Sequence, residues 1–284
     1  MDWLRHVGLK WLMAVLYFAL IFGLILLFPV WARVILLVVY VLSALWSLLV
    51  LDAQVSREYD LRPLTRWDVP EYDRFRSWLR QAAADAGLRR EPHYAVMEDE
   101  VPNAMAFGGT RGIVVFTTGI LRTLTPTELA AVAGHELKHL SSRDSLPAIL
   151  GGVWLQIVGY IAALFQRIAR TSGGLVGAVA VVIGAVLEFA LWVVAWLASI
   201  TMAQRSRYDE LQADLTGARL TSGGAMISAL QKLERRSKEF HRQERLAKWS
   251  AAWISERMHA SHPPMETRVQ ALRAAAERGE IDVM

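Results

Sequence analysis

The chain has 284 residues, of which 54% are hydrophobic, with a formal net charge of +4 and no cysteine. So small a charge, with no basic stripe, excludes a nucleic-acid binder, and the missing cysteine excludes disulfides, thiolate metal ligands and a cysteine nucleophile together. The hydrophobic residues fall in long blocks separated by polar stretches, a composition that points to a membrane protein.

The first block, Trp11 to Phe28, carries no charge and is long enough to cross a hydrocarbon core of ~30 Å at ~1.5 Å per residue. Trp11 and Trp31 bracket it as interfacial aromatics, and Pro29 marks a tight connection to a second block, Val34 to Leu51. Residues 1–52 therefore read as a transmembrane hairpin. A cleaved signal peptide would have a shorter apolar core and no second span directly after it. Arg5, Lys10, Arg57, Arg62 and Arg66 fall on one side of this hairpin and Arg33 on the other. The positive-inside tendency then places the N-terminus and the following domain in the cytoplasm, with the protein a multi-pass membrane protein.

From Asp52 the chain is polar. Tyr72 to Leu88 has helical spacing, and short β-rich runs follow at His93 to Met97, Val101 to Phe107 and Gly112 to Thr118. Thr125-Pro126-Thr127-Glu128 has the form of a helix start, with Thr125 as N-cap, Pro126 at the first helical position and Glu128 closing a capping box. That helix is expected to run to about Ser142. Two apolar blocks follow, Leu146 to Phe165 and Leu175 to Ile200, separated by Gln166 to Gly174, and they read as a second hydrophobic hairpin over 146–200. Glu188 lies inside the latter block, either in a functional or interhelical role or as a carboxyl facing the bundle or water. After Thr201 the chain reads helical to its end. The expected fold is a mostly α membrane protein whose α+β catalytic domain, with a small sheet, is split into 53–145 and 201–284 by the inserted hairpin.

The chemistry begins with His135-Glu136-Leu137-Lys138-His139. Four residues apart on a helix, the two imidazoles leave one face and can share a metal ion, while Glu136 lies beside them. A catalytic zinc needs three protein ligands and an open position, and an adjacent carboxylate can take the proton of the attacking water. The helix's apolar stripe, Leu129, Val132, Ala133 and Leu140, would bury these polar groups at a cost unless they had a partner. Glu210 is the best third ligand. It shares a helix face with Asp214, which can orient a histidine.

Four pieces in order, Pro102-Asn103-Ala104, the H-E-x-x-H helix continuing into Ser142-Arg143-Asp144, Glu210 with Asp214, and Ser261-His262-Pro263-Pro264 followed by Arg268, resemble the HtpX-type membrane metalloproteases, relatives of the CAAX prenyl endoproteases. The layout of hydrophobic segments is similar too. The resemblance implies a zincin-like catalytic domain with one zinc per chain held by His135, His139 and Glu210, Glu136 as general base and acid, and Asp214 behind the ligands. It also implies Asn103 and Ala104 as an edge strand pairing with substrate backbone, and His262 and Arg268 as contacts to substrate and its oxyanion. The substrate would be an unfolded or membrane polypeptide beside the lipid bilayer of the inner (cytoplasmic) membrane, in membrane-protein quality control under stress. A prenylated peptide stays open as a substrate, as do cleavage preference and oligomeric state. The competing chemistry is a di-iron carboxylate site using Glu136/His139 and Glu256/His259, which leaves His135 idle and ignores the β-rich runs.

Overall fold

The computed structural model describes residues 29–142, 146–244 and 264–282. The expected span Trp11 to Phe28 lies outside them, as do Arg143 and Asp144, Glu256 and His259, and Ser261 to Pro263. The chain divides into two compact units, residues 1–48 with 146–205, and residues 49–145 with 206–284.

The described residues of the first unit are helical. Helix α1, Val30–Glu58, begins directly after Pro29 and contains neither glycine nor proline, so nothing interrupts it. Among the described residues it is the one helix long and apolar enough to cross a membrane. Its apolar side chains face outward, with Leu42 61% and Trp46 65% exposed, which suits lipid and not water. Two further helices, here numbered α5 (Leu146–Thr171) and α6 (Gly174–Leu220), occupy the second hydrophobic region. The turn between them uses Gly174 in the left-handed region at φ 64°, where a side chain would be strained. Gln166 of α5 donates a hydrogen bond to Glu188 of α6, so the acidic residue in mid-block has an interhelical partner. The apolar stretch of α6 among the described residues, Gly174–Phe189, is shorter than that of α1. No helix boundary falls near residue 201: α6 has 47 residues, and from Ala185 to Thr216 it contains no glycine or proline. The hydrophobic segment and the Glu210–Asp214 pair therefore share one helix.

The second unit is built on a four-stranded sheet in the order β1 (Arg62–Pro63), β2 (His93–Met97), β4 (Ile113–Thr117), β3 (Ala104–Phe107). Strands β2 and β4 run parallel, and β1 and β3 are antiparallel to their neighbours. Every residue of β4 is buried, which explains why Ile113 to Phe116 is an apolar run and not an alternation. Strand β1 has no signature in the sequence. It is two residues long, and Pro63, lacking an N–H, is tolerated because it lies at an edge.

One face of the sheet, with Tyr94, Val96, Val114 and Phe116, packs on Phe75 and Leu79 of α2 (Tyr72–Asp85) and on Leu129, Val132 and Leu137 of α4 (Pro126–Ser141). Full burial of each such large side chain stabilises the fold by about 1.5–3 kcal/mol. The other face, with Ala95, Ile113 and Val115, packs on Leu51 and Val55 from the last turns of α1. Helix α3 (Thr118–Thr123) links β4 to α4. A separate cluster joins the end of α6 to α7 (Gly223–Glu244) and α8 (Met265–Glu277) through Ala218, Met226, Leu230 and Leu272.

Candidate active site

Helix α4 starts where its sequence places the start. Thr125 caps it, Glu128 closes the capping box, and Pro126 occupies the first turn. Its apolar stripe fixes its rotation against the sheet, and that rotation buries His135 and Glu136, which are 4% and 8% exposed.

The two imidazoles and Glu210 converge. His135 Nε2 and His139 Nε2 are 3.1 Å apart, His139 Nε2 is 3.3 Å from Glu210 Oε1, and His135 Nε2 is 3.6 Å from Glu210 Oε2. A tetrahedral ion with bonds of about 2.0–2.1 Å holds its ligand atoms about 3.3–3.4 Å apart. The three residues therefore fit one metal ion, and they form the one such group among the described residues.

Behind these three residues lies a second layer. His135 Nδ1 is 2.9 Å from Asp214 Oδ1, and the Arg268 guanidinium clasps the same carboxylate, Nε to Oδ2 at 2.7 Å and Nη2 to Oδ1 at 2.5 Å. Burial alone pushes the Asp214 carboxyl up, but the Arg268 and His135 hydrogen bonds outweigh it and hold the group below the ordinary aspartate range. An ionised carboxylate only accepts, so Nδ1 of His135 carries the proton and Nε2 turns its lone pair toward His139 and Glu210. Arg268 Nη2 also lies 3.7 Å from Glu210 Oε2, and the charge of Glu136 contributes to holding Arg268 protonated. Arg268, expected from the resemblance to contact substrate or its oxyanion, is 5% exposed and is engaged with these carboxylates. A spacing of 54 residues from Asp214 gives no local pattern by which the sequence could reveal that pairing.

Asn103 and Ala104 stand at the start of β3, which lies at the sheet edge and packs against α4. Thr117 holds them: its backbone N–H donates to Asn103 O at 3.0 Å, its Oγ1 accepts from Asn103 N at 2.9 Å and donates to Val101 O at 2.8 Å. Because Asn103 turns its backbone toward β4 and Ala104 is opposite Phe116, the alternation of an antiparallel strand turns the N–H and C=O of Ala104 and Ala106 toward the open edge. Thr117, 0% exposed, carried no signal in the sequence beyond its place in a β-rich run. His262 lies outside the described residues.

A family model described as peptidase family M48 matches residues 71–276. Protease HtpX of Chromohalobacter salexigens is 32% identical over 219 residues, 70% of each chain. Protease HtpX of Hydrogenovibrio crunogenus is 33% identical over 215 residues, 70% of this chain and 69% of that one, and a Protease HtpX homolog of Thermococcus kodakarensis is 30% identical over 246 residues, 80% of each. The family match spans strands β2 to β4, the H-E-x-x-H helix and the helices that bring Glu210, Asp214 and Arg268 to it, and on that ground the chain belongs to peptidase family M48 as an HtpX-type metalloprotease.

Proposed function

We propose that the protein is a membrane-anchored zinc endopeptidase that cleaves unfolded or membrane polypeptides at the cytoplasmic face of the inner membrane. The observation that carries this reading is the convergence of Glu210 of α6 with His135 and His139 of α4, within coordination distance, on a helix pair in which α4 also bears Glu136. Nitrogen and carboxylate ligands without thiolate suit zinc with a position left open for substrate. Bound there, zinc would polarise the scissile carbonyl and lower the pKa of the attacking water.

The chain's own residues supply the rest. Asp214, clamped by Arg268, keeps His135 in the tautomer that presents Nε2 to the metal. The backbone of Ala104 and Ala106 pairs with an extended substrate as an added strand. Glu136 takes a proton from the attacking water and returns it to the leaving amine nitrogen. His262, assigned from its motif, donates to the developing oxyanion. Arg268 acts from behind Asp214. Cytoplasmic orientation rests on Arg57, Arg62 and Arg66 after the span against Arg33 before it, and a role in membrane-protein quality control rests on the relatives' kinship alone.

The test is cleavage of an unfolded protein by the purified full chain in detergent. One zinc per chain, activity lost to a chelator and restored by zinc, and a Glu136→Gln variant that binds zinc yet is inactive are the expected results. Cleavage by Glu136→Gln at the wild-type rate would overturn the mechanism. Two irons per chain would instead favour the carboxylate-bridged alternative, whose geometry leaves His135 without a task.

A further inference from the structure

The ligands come from two different helices, so the distance between α4 and α6 sets the size of the metal site. At the point where the helices touch, both carry glycine. A Cβ at Gly217 would run into the carbonyl oxygen of Ala131 and come within 3.3 Å of the backbone nitrogen of His135. A Cβ at Gly134 would lie 3.0 Å from the Cα of Gly217 and 3.2 Å from Leu220 Cδ1. Both helices are in regular helical conformation here and neither glycine has a positive φ. Backbone freedom is therefore not what these positions use. A glycine in a helix interior costs about 0.5–1 kcal/mol relative to alanine, and the sequence carries two of them at one crossing.

The ligand pairs step away from that crossing in order. Gly134 meets Gly217; next along, His135 meets Asp214, three residues before Gly217; then His139 meets Glu210, four residues before Asp214. A displacement at the glycines is thus passed directly to both pairs. A carbon needs about 3.3–3.6 Å from a carbonyl oxygen, so a methyl at Gly217 forces the helices apart by a good fraction of an ångström. Zinc sites tolerate about 0.2 Å in their ligand distances.

We infer that Gly134 and Gly217 are positioning residues that fix the metal's bite: they allow α4 and α6 to approach closely enough for the two-histidine pair of one helix to close on the carboxylate of the other. This rests on the zinc reading above.

The test compares wild type, Gly217→Ala, Gly134→Ala and, as a control for stability, Leu79→Ala, which opens the core on α2 away from the crossing. Zinc dissociation constants would be measured by competition with a chelator, and cobalt(II) spectra would report coordination geometry, both on the folded full chain in detergent. Gly217→Ala is expected to weaken zinc by about 10–100-fold, the range for residues that orient ligands, and to change the cobalt spectrum. Gly134→Ala, whose nearest side-chain neighbour is a movable leucine methyl, should do so less. Leu79→Ala should lose thermal stability while keeping wild-type zinc affinity and spectrum. If Gly217→Ala does not fold, Gly134→Ala decides. Wild-type zinc affinity and spectrum in the folded glycine variant would overturn the inference. Failure of wild type itself to bind stoichiometric zinc would instead overturn the reading it rests on.

Discussion

Two buried polar clusters sit along helix α4, and they are balanced differently. Near its start, Glu128 accepts from Thr125 N at 2.8 Å, from Ser228 Oγ at 2.5 Å and from Lys232 Nζ at 2.7 Å. One carboxylate meets one ammonium, and both oxygens are satisfied by the protein. Two turns further on, the carboxylates of Glu136, Glu210 and Asp214 are gathered around the single guanidinium of Arg268, all nine-tenths or more buried, a formal excess of two negative charges. Buried charge is retained only when paired or coordinating a metal. The first cluster closes on itself and ties α4 to α7. The second is left with an excess that a divalent cation would balance, in keeping with the metal proposed for it.

Breaking the second cluster should have the largest effect. His139→Ala or Glu210→Ala is expected to abolish stoichiometric zinc and reduce peptide cleavage to background, read by metal analysis and by turnover of an unfolded substrate. On the proposed mechanism Glu136→Gln removes only the proton carrier, so turnover should fall by about 10²–10⁴-fold with zinc content unchanged. Equal loss of zinc in that variant would place Glu136 among the ligands and dissolve the distinction between holding the metal and moving the proton.

Arg268→Met should separate the clusters next. It leaves Asp214 buried without its cation, at a cost of about 3–5 kcal/mol, and frees His135 from its fixed tautomer, weakening zinc by about 10–100-fold. Arg268→Lys, which keeps the charge but not the two-pronged clasp, should recover stability more than zinc affinity. Were Arg268 a substrate contact instead, either variant would raise KM with zinc affinity and melting temperature unchanged.

What could be read in the sequence was what local periodicity carries. Thr125, Pro126 and Glu128 announce a helix start within four residues, His135 and His139 share a face at four-residue spacing, and Glu210 and Asp214 do the same. The three strands over 93–97, 104–107 and 113–117 were visible from the β-rich composition of the runs that contain them. What was hidden depends on contacts between distant residues. The Arg268 clasp, the Thr117 hydroxyl that ties down Asn103 and the glycine crossing have no periodic signature. Two residues paired at an edge, as in β1, are too few to have one. The division read near residue 201 came from a change in polarity, and the compact units part close by, between 205 and 206; that α6 runs through this point was hidden, because a change of side-chain polarity does not interrupt a helical backbone.

The first cluster provides the smallest effect and the control for all the others. Burial alone would raise the Glu128 carboxyl, but the hydrogen bonds from Lys232, Ser228 and Thr125 outweigh it and lower the group below the ordinary glutamate range. A carboxyl depressed on folding contributes stability above its unfolded value, and that contribution is lost as pH falls through the folded one. Glu128→Gln should therefore melt lower than wild type at neutral pH, by a gap worth on the order of 1–2 kcal/mol. The gap should begin to close near pH 5 and vanish in stronger acid, where the wild-type carboxyl is also protonated. Measured on metal-free protein, so that acid release of zinc plays no part, a gap that stayed level to pH 3 would mean that the cap and not the charge carries the contribution. Zinc affinity at neutral pH should be the same in both proteins, since a cluster that already closes on itself has nothing to offer the metal.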